Sequence, residues 1–249
     1  MLVLRTLLTY PFLVFGSVVG GLIIIPMVAL GERDGKIWWP GVVQRWARIL
    51  VRTGGVTRVE ILGDATRLRE FRGVVMSNHE SHFDSPALIL SSPIPLRFMA
   101  KKSLSHFPVF GRALKAMGML FIDRANKDQA WASIREAAAS VAAGKVVLVF
   151  PEGTRAKGDD LLPFKRGGFV LAIEAGAPIL PVGVAGAGHV LPPGWAIQGT
   201  GPVVVVFGEP IETRGRDDVE ALMAETRAAI ERLRAEARRW RDENVEDPT

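Results

Sequence analysis

Val74-Val75-Met76-Ser77-Asn78-His79-Glu80-Ser81-His82-Phe83-Asp84-Ser85-Pro86 reads as a strand, a polar turn and the first turn of a helix. The opening four residues are small or apolar and include two β-branched valines, a pattern that fits a strand buried on both faces. Pro86 fits the start of a helix, where its missing N–H is not needed. A strand passing through a short turn into a helix opens a βα unit, and the same alternation recurs on both sides. Further candidate strands lie at residues 59–62, 97–100, 120–123, 146–150, 179–184 and 203–207, with helical stretches at 87–90, 104–116, 129–143 and 168–175 between them. Strands that stay apolar throughout and alternate with helices predict an α/β fold with a mostly parallel central sheet flanked by helices. The chain closes on a helix over residues 218–240, in which Val219, Met223, Thr226, Ile230, Leu233, Ala237 and Trp240 form one apolar stripe. That is the pattern of a helix laid on its own domain.

The length of 249 residues suits one large domain with an appendage. With 48% hydrophobic and 23% charged residues the chain is not a disordered one, and 16 prolines without a repeat period exclude a fibrous one. The absence of cysteine excludes a disulfide framework, a thiolate metal site and a cysteine nucleophile. The net charge of +5 divides into +4 over residues 1–60, +5 over 61–208 and −4 over 209–249. The basic surplus is therefore N-terminal and central, which points to an anionic partner. No basic run is interleaved with aromatics, so nucleic acid is not the expected one.

Thr6 to Leu30 is 25 residues without a charge, and about 20 are enough to cross a bilayer as a helix. The segment is expected to meet a membrane, and the lipid bilayer is then the anionic partner. A buried core helix and a cleaved signal peptide are the alternatives. Globular helices seldom stay apolar on every face for so long, and the stretch exceeds a signal's apolar region and follows a lone Arg5. Pro11 and Pro26 leave only residues 12–25 free of a helix breaker, so a kinked span and a half-inserted helix are both open. Gly16 and Gly20 have the G-x-x-x-G spacing of helix pairs, which points weakly to a dimer. Trp38 and Trp39, then Arg45, Arg48 and Arg52 among Val42, Val43, Trp46, Ile49 and Leu50, predict an amphipathic helix on the headgroups. If the segment spans, the excess of Arg and Lys after the apolar stretch places the remainder of the chain on the cytoplasmic face. The expected organisation is a membrane-anchoring and interfacial segment over residues 1–55 and an α/β domain over 56–249.

The chemistry has few candidates, because the only histidines are His79, His82, His106 and His189. His79 and Asp84 lie in the turn after the strand at 74–77. On a single helix they would stand roughly 140° apart, so they meet only if the turn folds the chain back. If they meet, Asp84 accepts from one ring nitrogen and leaves the other free as a general base. The plainer reading, two polar residues capping a turn, stays open. There is no G-x-S-x-G elbow and no cysteine, so the attacking group comes from a substrate hydroxyl or from water, giving direct transfer or hydrolysis. His79, His82 and Asp84 have the spacing H-x-x-H-x-D, not that of a dinuclear hydrolase set, and no metal is expected. A second cluster, Phe150-Pro151-Glu152-Gly153-Thr154-Arg155, closes a candidate strand: its Gly lets a ligand approach the backbone and Arg155 offers a fork for phosphate. A third, Gly118-Met119-Leu120-Phe121-Ile122-Asp123-Arg124, also delivers an Arg from a strand end, and Lys165 follows. Each cation alone reads as a surface charge, but a parallel sheet brings its carboxyl ends to one rim, where several would form a phosphate pocket.

In order and spacing, the blocks Asn78 to Asp84, Gly118 to Arg124, Phe150 to Arg155 and Ala177-Pro178-Ile179-Leu180-Pro181-Val182 resemble the four motifs of the glycerolipid acyltransferases with the His-x4-Asp motif. The resemblance covers about residues 40–210; Ala156 stands where many members carry Ser. It implies that His79 deprotonates an acceptor hydroxyl, that Asp84 orients His79, and that the hydroxyl attacks an acyl thioester. It assigns Arg124 and the Glu152-Gly153-Thr154-Arg155 block to the glycerol phosphate, and the fourth block to the acyl-donor side. Lys101, in Ala100-Lys101-Lys102, is a further candidate for the acceptor phosphate or the developing oxyanion, with Lys102 as its rival. The implied activity is transfer of a fatty acyl group from acyl-CoA or acyl carrier protein, as co-substrate, to the sn-2 hydroxyl of 1-acylglycerol-3-phosphate (lysophosphatidic acid). The product is phosphatidic acid for phospholipid biosynthesis, and no metal or bound cofactor takes part. Rival readings are another acceptor (glycerol-3-phosphate, a different lysophospholipid or a lyso-aminolipid), a metal hydrolase, and a lipid-binding protein without activity.

Overall fold

The apolar β-rich runs pair into one seven-stranded sheet in the computed structural model, which describes residues 1–123 and 127–245. The strands are β1 (Val56–Leu62), β2 (Val74–Ser77), β3 (Leu96–Lys101), β4 (Leu120–Ile122), β5 (Val146–Val149), β6 (Ile179–Ala185) and β7 (Gly201–Phe207). Their order is β1-β7-β6-β2-β5-β3-β4, with every neighbouring pair parallel except β6 and β7. β2 lies centrally, Val74 pairing with Val147 on one side and Ile179 on the other. The strands β2, β5, β6 and β7 are buried at every residue, as strands covered on both faces must be. Each such Val or Leu contributes about 1.5–3 kcal/mol of apolar burial.

The helices are α1 (Leu2–Ala29), α2 (Gln44–Thr53), α3 (Asp84–Ser91), α4 (Pro108–Ala116), α5 (Lys127–Ala142), α6 (Gly167–Glu174), the one-turn α7 (Ala187–Val190) and α8 (Val219–Asn244). The helical stretch expected over 104–116 breaks in two. A short 3-10 turn, Lys102–His106, is followed by Phe107 at φ −67°, ψ 126°, and α4 begins at Pro108. The residue before a proline is disfavoured in the helical conformation, and Phe107 takes the extended one, so the break falls at Pro108. α8 buries Leu222, Thr226, Ile230, Leu233 and Ala237 against β6 and β7. It approaches closely at Gly183, where a Cβ would lie 2.4 Å from the Arg234 backbone nitrogen.

α1 is one helix of 28 residues that runs through both Pro11 and Pro26. By length and composition it is sufficient to cross a membrane. Its outer face leaves Leu4, Leu7, Val14, Phe15 and Leu22 exposed, while Leu2, Phe12, Leu13, Met27 and Val28 pack on the domain core. The Gly16 and Gly20 spacing serves this chain's own packing. A Cβ at Gly16 would touch Trp46 at 3.2 Å, one at Gly20 Val42 at 3.4 Å, and one at the adjacent Gly21 would clash with Val109 of α4 at 2.8 Å. Trp38 and Trp39, expected at the headgroups, are instead fully buried. Each indole N–H finds a carbonyl inside the protein, Glu32 O at 3.0 Å and Ser92 O at 3.2 Å, and Arg97 stacks over Trp38 at 5.3 Å. α2 keeps the amphipathic pattern, with Ala47, Leu50 and Val51 turned into the domain and Arg45, Arg48 and Arg52 outward.

Candidate active site

At the carboxyl end of β2 the chain leaves the sheet as a loop, residues 78–83, before α3 starts at Asp84. The loop does fold back: His79 Nδ1 lies 2.8 Å from Asp84 Oδ2. The same carboxylate oxygen accepts from the backbone N–H groups of Glu80 and Ser81, each at 2.8 Å, and the Asp84 side chain is completely buried. A carboxylate oxygen receiving three donors is fixed in place as an acceptor. His79 Nδ1 therefore carries the hydrogen, and Nε2 is left as the acceptor.

Other polar side chains of this loop are also anchored. The Asn78 amide donates to Val184 O (2.8 Å) and accepts from Val184 N (2.7 Å), tying the loop to β6. Ser81 Oγ donates to Leu191 O at 2.7 Å and accepts from Phe83 N. Glu80 accepts from Gly188 N at 3.0 Å and stands 3.5 Å from the buried Arg234 of α8. Burial and the neighbouring Asp84 push the Glu80 carboxyl up from its ordinary value, against the pull of the Gly188 N–H and Arg234. The His79 ring lies flat on Phe150, centroids 4.0 Å apart, so the end of β5 fixes the plane of the imidazole.

Glu152 reaches the same centre without lining its cavity. One carboxylate oxygen accepts from His79 N at 2.7 Å and the other from Leu162 N at 2.8 Å, and the residue is 2% exposed. Burial raises its carboxyl and those two N–H groups oppose the rise. With both oxygens committed, it joins the loop after β5 to the loop after β2, a link reinforced by Ala156 N donating to His79 O at 2.8 Å. Gly153 adopts φ +70°, and a Cβ there would press on the Lys165 side chain at 3.0 Å. Gly153, Thr154 and Arg155 all line the cavity, and Arg155 Nη1 is buried with no hydrogen-bond partner. The choice between the two lysines is geometric: Lys101 lines the cavity, whereas Lys102 turns away to Asp123 at 3.1 Å and to Gln129. Arg124 lies outside the described residues.

The cavity measures about 480 Å³, within the range of small-molecule sites. His79, His82, Lys101, Thr154 and Arg155 mark its polar part. Its apolar part runs between α1 (Gly16, Gly20, Gly21, Ile24), α4 (Phe110, Ala113, Leu114) and β3 (Phe98, Met99). His82 is held down to about 4 by desolvation against the pocket and by the Arg155 guanidinium, and so is neutral at neutral pH. Among the described residues no three His, Cys, Asp or Glu side chains gather as a metal-holding group.

A model of the family described as Acyltransferase matches residues 58–185, more than half of the chain. The chain belongs to the acyltransferase family. This acyltransferase is 35% identical over 169 residues to the 1-acyl-sn-glycerol-3-phosphate acyltransferase of Escherichia coli, covering 66% of this chain and 67% of that one. It is 31% identical over 245 residues to the protein of the same description from Pseudomonas aeruginosa, covering 91% of each. Its fold superposes on the crystal structure of the 1-acyl-sn-glycerophosphate (LPA) acyltransferase of Thermotoga maritima with a TM-score of 0.80, at 25% identity, over 95% of this chain and 96% of the other.

Phe150, Asn78, Ser81 and Glu80 shape the site, yet sequence reasoning gave none of them a task. Asn78, Ser81 and Glu80 find their partners on β6, just beyond α7 and on α8, and Phe150 meets His79 from the other side of the sheet order, all some 70 to 150 residues away in sequence, so no local pattern announces them. The polar run Asn78 to Asp84 was the one available signal.

Proposed function

We propose that this chain moves a fatty acyl group from acyl-CoA or acyl carrier protein to the sn-2 hydroxyl of lysophosphatidic acid, forming phosphatidic acid at a membrane surface. The observation that carries the reading is the His79–Asp84 pair standing in the polar part of a cavity whose apolar part is walled by α1. A base in that position suits a hydroxyl that attacks beside an acyl chain held in the apolar part. In the step itself the acceptor oxygen attacks the thioester carbonyl carbon as His79 Nε2 takes its proton. The tetrahedral intermediate then expels the thiolate, which leaves with that proton as the thiol. Asp84 steadies the imidazolium in between. A positioned base supplies about 10²- to 10⁴-fold, and holding two lipid substrates together supplies much of the remainder.

Lys101 and Arg155 provide the cations for the acceptor phosphate and the developing oxyanion; Arg124 remains the resemblance's candidate for the same phosphate. Glu152 acts by positioning His79. The step needs no metal or bound cofactor. Because α1 packs on the domain from Leu2 to Val28 and Arg5 donates to Arg52 O at 3.3 Å, the helix follows the domain surface. We read it as lying in one leaflet, its exposed outer face in lipid and Arg45, Arg48 and Arg52 turned to anionic headgroups. The catalytic domain is assigned to the cytoplasmic face, by the basic residues that follow α1.

Incubation of detergent-purified protein with radiolabelled acyl-CoA and lysophosphatidic acid tests the reading. Labelled phosphatidic acid, unaffected by a chelator, is the expected product. Failure with acyl-CoA and with acyl carrier protein, alongside labelling of another lysolipid, would move the acceptor.

A further inference from the structure

The inner face of α1 changes character along its length. Beyond Phe12 it is apolar or small, the floor of the cavity, whereas its amino-terminal third carries Thr6, Thr9 and Tyr10. Thr6 Oγ1 accepts from Ile197 N at 3.1 Å, seating that third of the helix against the loop after α7. From this loop Trp195 reaches over the site, its ring 5.6 Å from that of Tyr10 and 6.2 Å from that of His82. The Arg155 guanidinium is close enough to act electrostatically on both Tyr10 and His82. The Tyr10 hydroxyl and Arg155 Nη1 are both buried, and neither has a hydrogen-bond partner. An unpaired buried donor costs about 1–3 kcal/mol, so two of them, one in the cavity wall and one against the Trp195 ring that also nears His82, mark a place where a ligand completes the bonding.

We infer that Tyr10, on the membrane helix, is a specificity-determining residue for the acceptor: its hydroxyl and Arg155 Nη1 together take the phosphate monoester of the lysophospholipid whose hydroxyl faces His79. The inference rests on the acyl-transfer reading above. The ligand class follows from the donors, since a guanidinium and a phenol supply hydrogens and demand acceptor oxygens, which a phosphate monoester presents in abundance. The position follows from His82 and Arg155, which share the polar wall with His79. One consequence is that headgroup recognition and membrane docking use the same helix, so an acceptor is bound where the enzyme already touches the bilayer.

The test compares the full-length parent with Tyr10→Phe, which removes one hydroxyl and keeps the ring against Trp195. A hydrogen bond to a charged group is lost, so KM for lysophosphatidic acid is expected to rise about tenfold, with kcat within about twofold and KM for the acyl donor unchanged. KM does not depend on the folded fraction of a preparation, so partial unfolding leaves the comparison intact. Inorganic phosphate is expected to compete with lysophosphatidic acid in the parent and less well in Tyr10→Phe; equal competition puts the phosphate elsewhere. In an Arg155→Ala background Tyr10→Phe is expected to raise KM much less than tenfold, as two donors on one phosphate require. An unchanged acceptor KM, or full additivity with Arg155→Ala, overturns the role of Tyr10. A parent that forms no phosphatidic acid overturns the acyl-transfer reading instead, so the two failures are distinct.

Discussion

Asp84 Oδ2 collects three donors, His79 Nδ1 and the N–H groups of Glu80 and Ser81, and that one atom decides which end of the imidazole is basic. Around it sits a second carboxylate with less support. Glu80 is raised from its ordinary value of 4.5 by burial and by Asp84. A carboxyl whose folded value is raised binds its proton more tightly in the native state than in the unfolded chain. The stability from that protonation is present below 4.5 and is lost as pH rises through the folded value. Glu80→Gln removes this dependence. Unfolding midpoints measured from pH 4.5 to 8 are expected to fall less with rising pH in Glu80→Gln than in the parent; parallel curves would contradict the buried, raised carboxyl. At this scale the sequence was legible where partners are local, as in His79 and Asp84. Glu152 shows the limit: its motif is recognisable, but the direction of its carboxylate depends on His79 N and Leu162 N, which only the assembled loops bring together.

Among the elements, α1 walls the cavity with Gly16, Gly20, Gly21 and Ile24. At Gly20 a Cβ meets Val42 only at an ordinary 3.4 Å, so the helix accepts a Cβ there, and a longer side chain would extend from it toward the cavity that Gly20 lines. Gly20→Leu is expected to fold and to shift the preference of the enzyme toward shorter acyl chains. The discrimination is roughly fourfold for each methylene denied burial, read from kcat/KM over a series of acyl-CoA lengths. An unaltered chain-length profile would show that this cavity does not hold the acyl chain. The alternating strands and helices were readable because their periods differ. The burial of Trp38 and Trp39 was not, since a tryptophan beside a membrane segment has the same sequence whether its N–H meets a headgroup or Glu32 O and Ser92 O. The G-x-x-x-G spacing was ambiguous for the same reason: it permits close approach without naming the neighbour.

For the whole molecule the question is how an apolar helix about 42 Å long relates to a bilayer whose hydrocarbon core is about 30 Å thick. Length alone permits a span, but Leu2 and Val28 pack on one core, so crossing would pull the domain into the lipid. The chain has no cysteine, which makes labelling clean. A cysteine placed ahead of Met1 and one at Ile37→Cys, a position 62% exposed, are both expected to react with a membrane-impermeant maleimide from the same side of sealed vesicles. Reaction from opposite sides would establish a span.

The central claim is that His79 is the base of an acyl transfer, and turnover by His79→Ala measures it most directly. In the acyl-CoA and lysophosphatidic acid assay, with unfolding midpoint and vesicle binding matched to the parent, kcat is expected to fall by about 10²- to 10⁴-fold. Undiminished kcat in that well-folded variant would contradict the account.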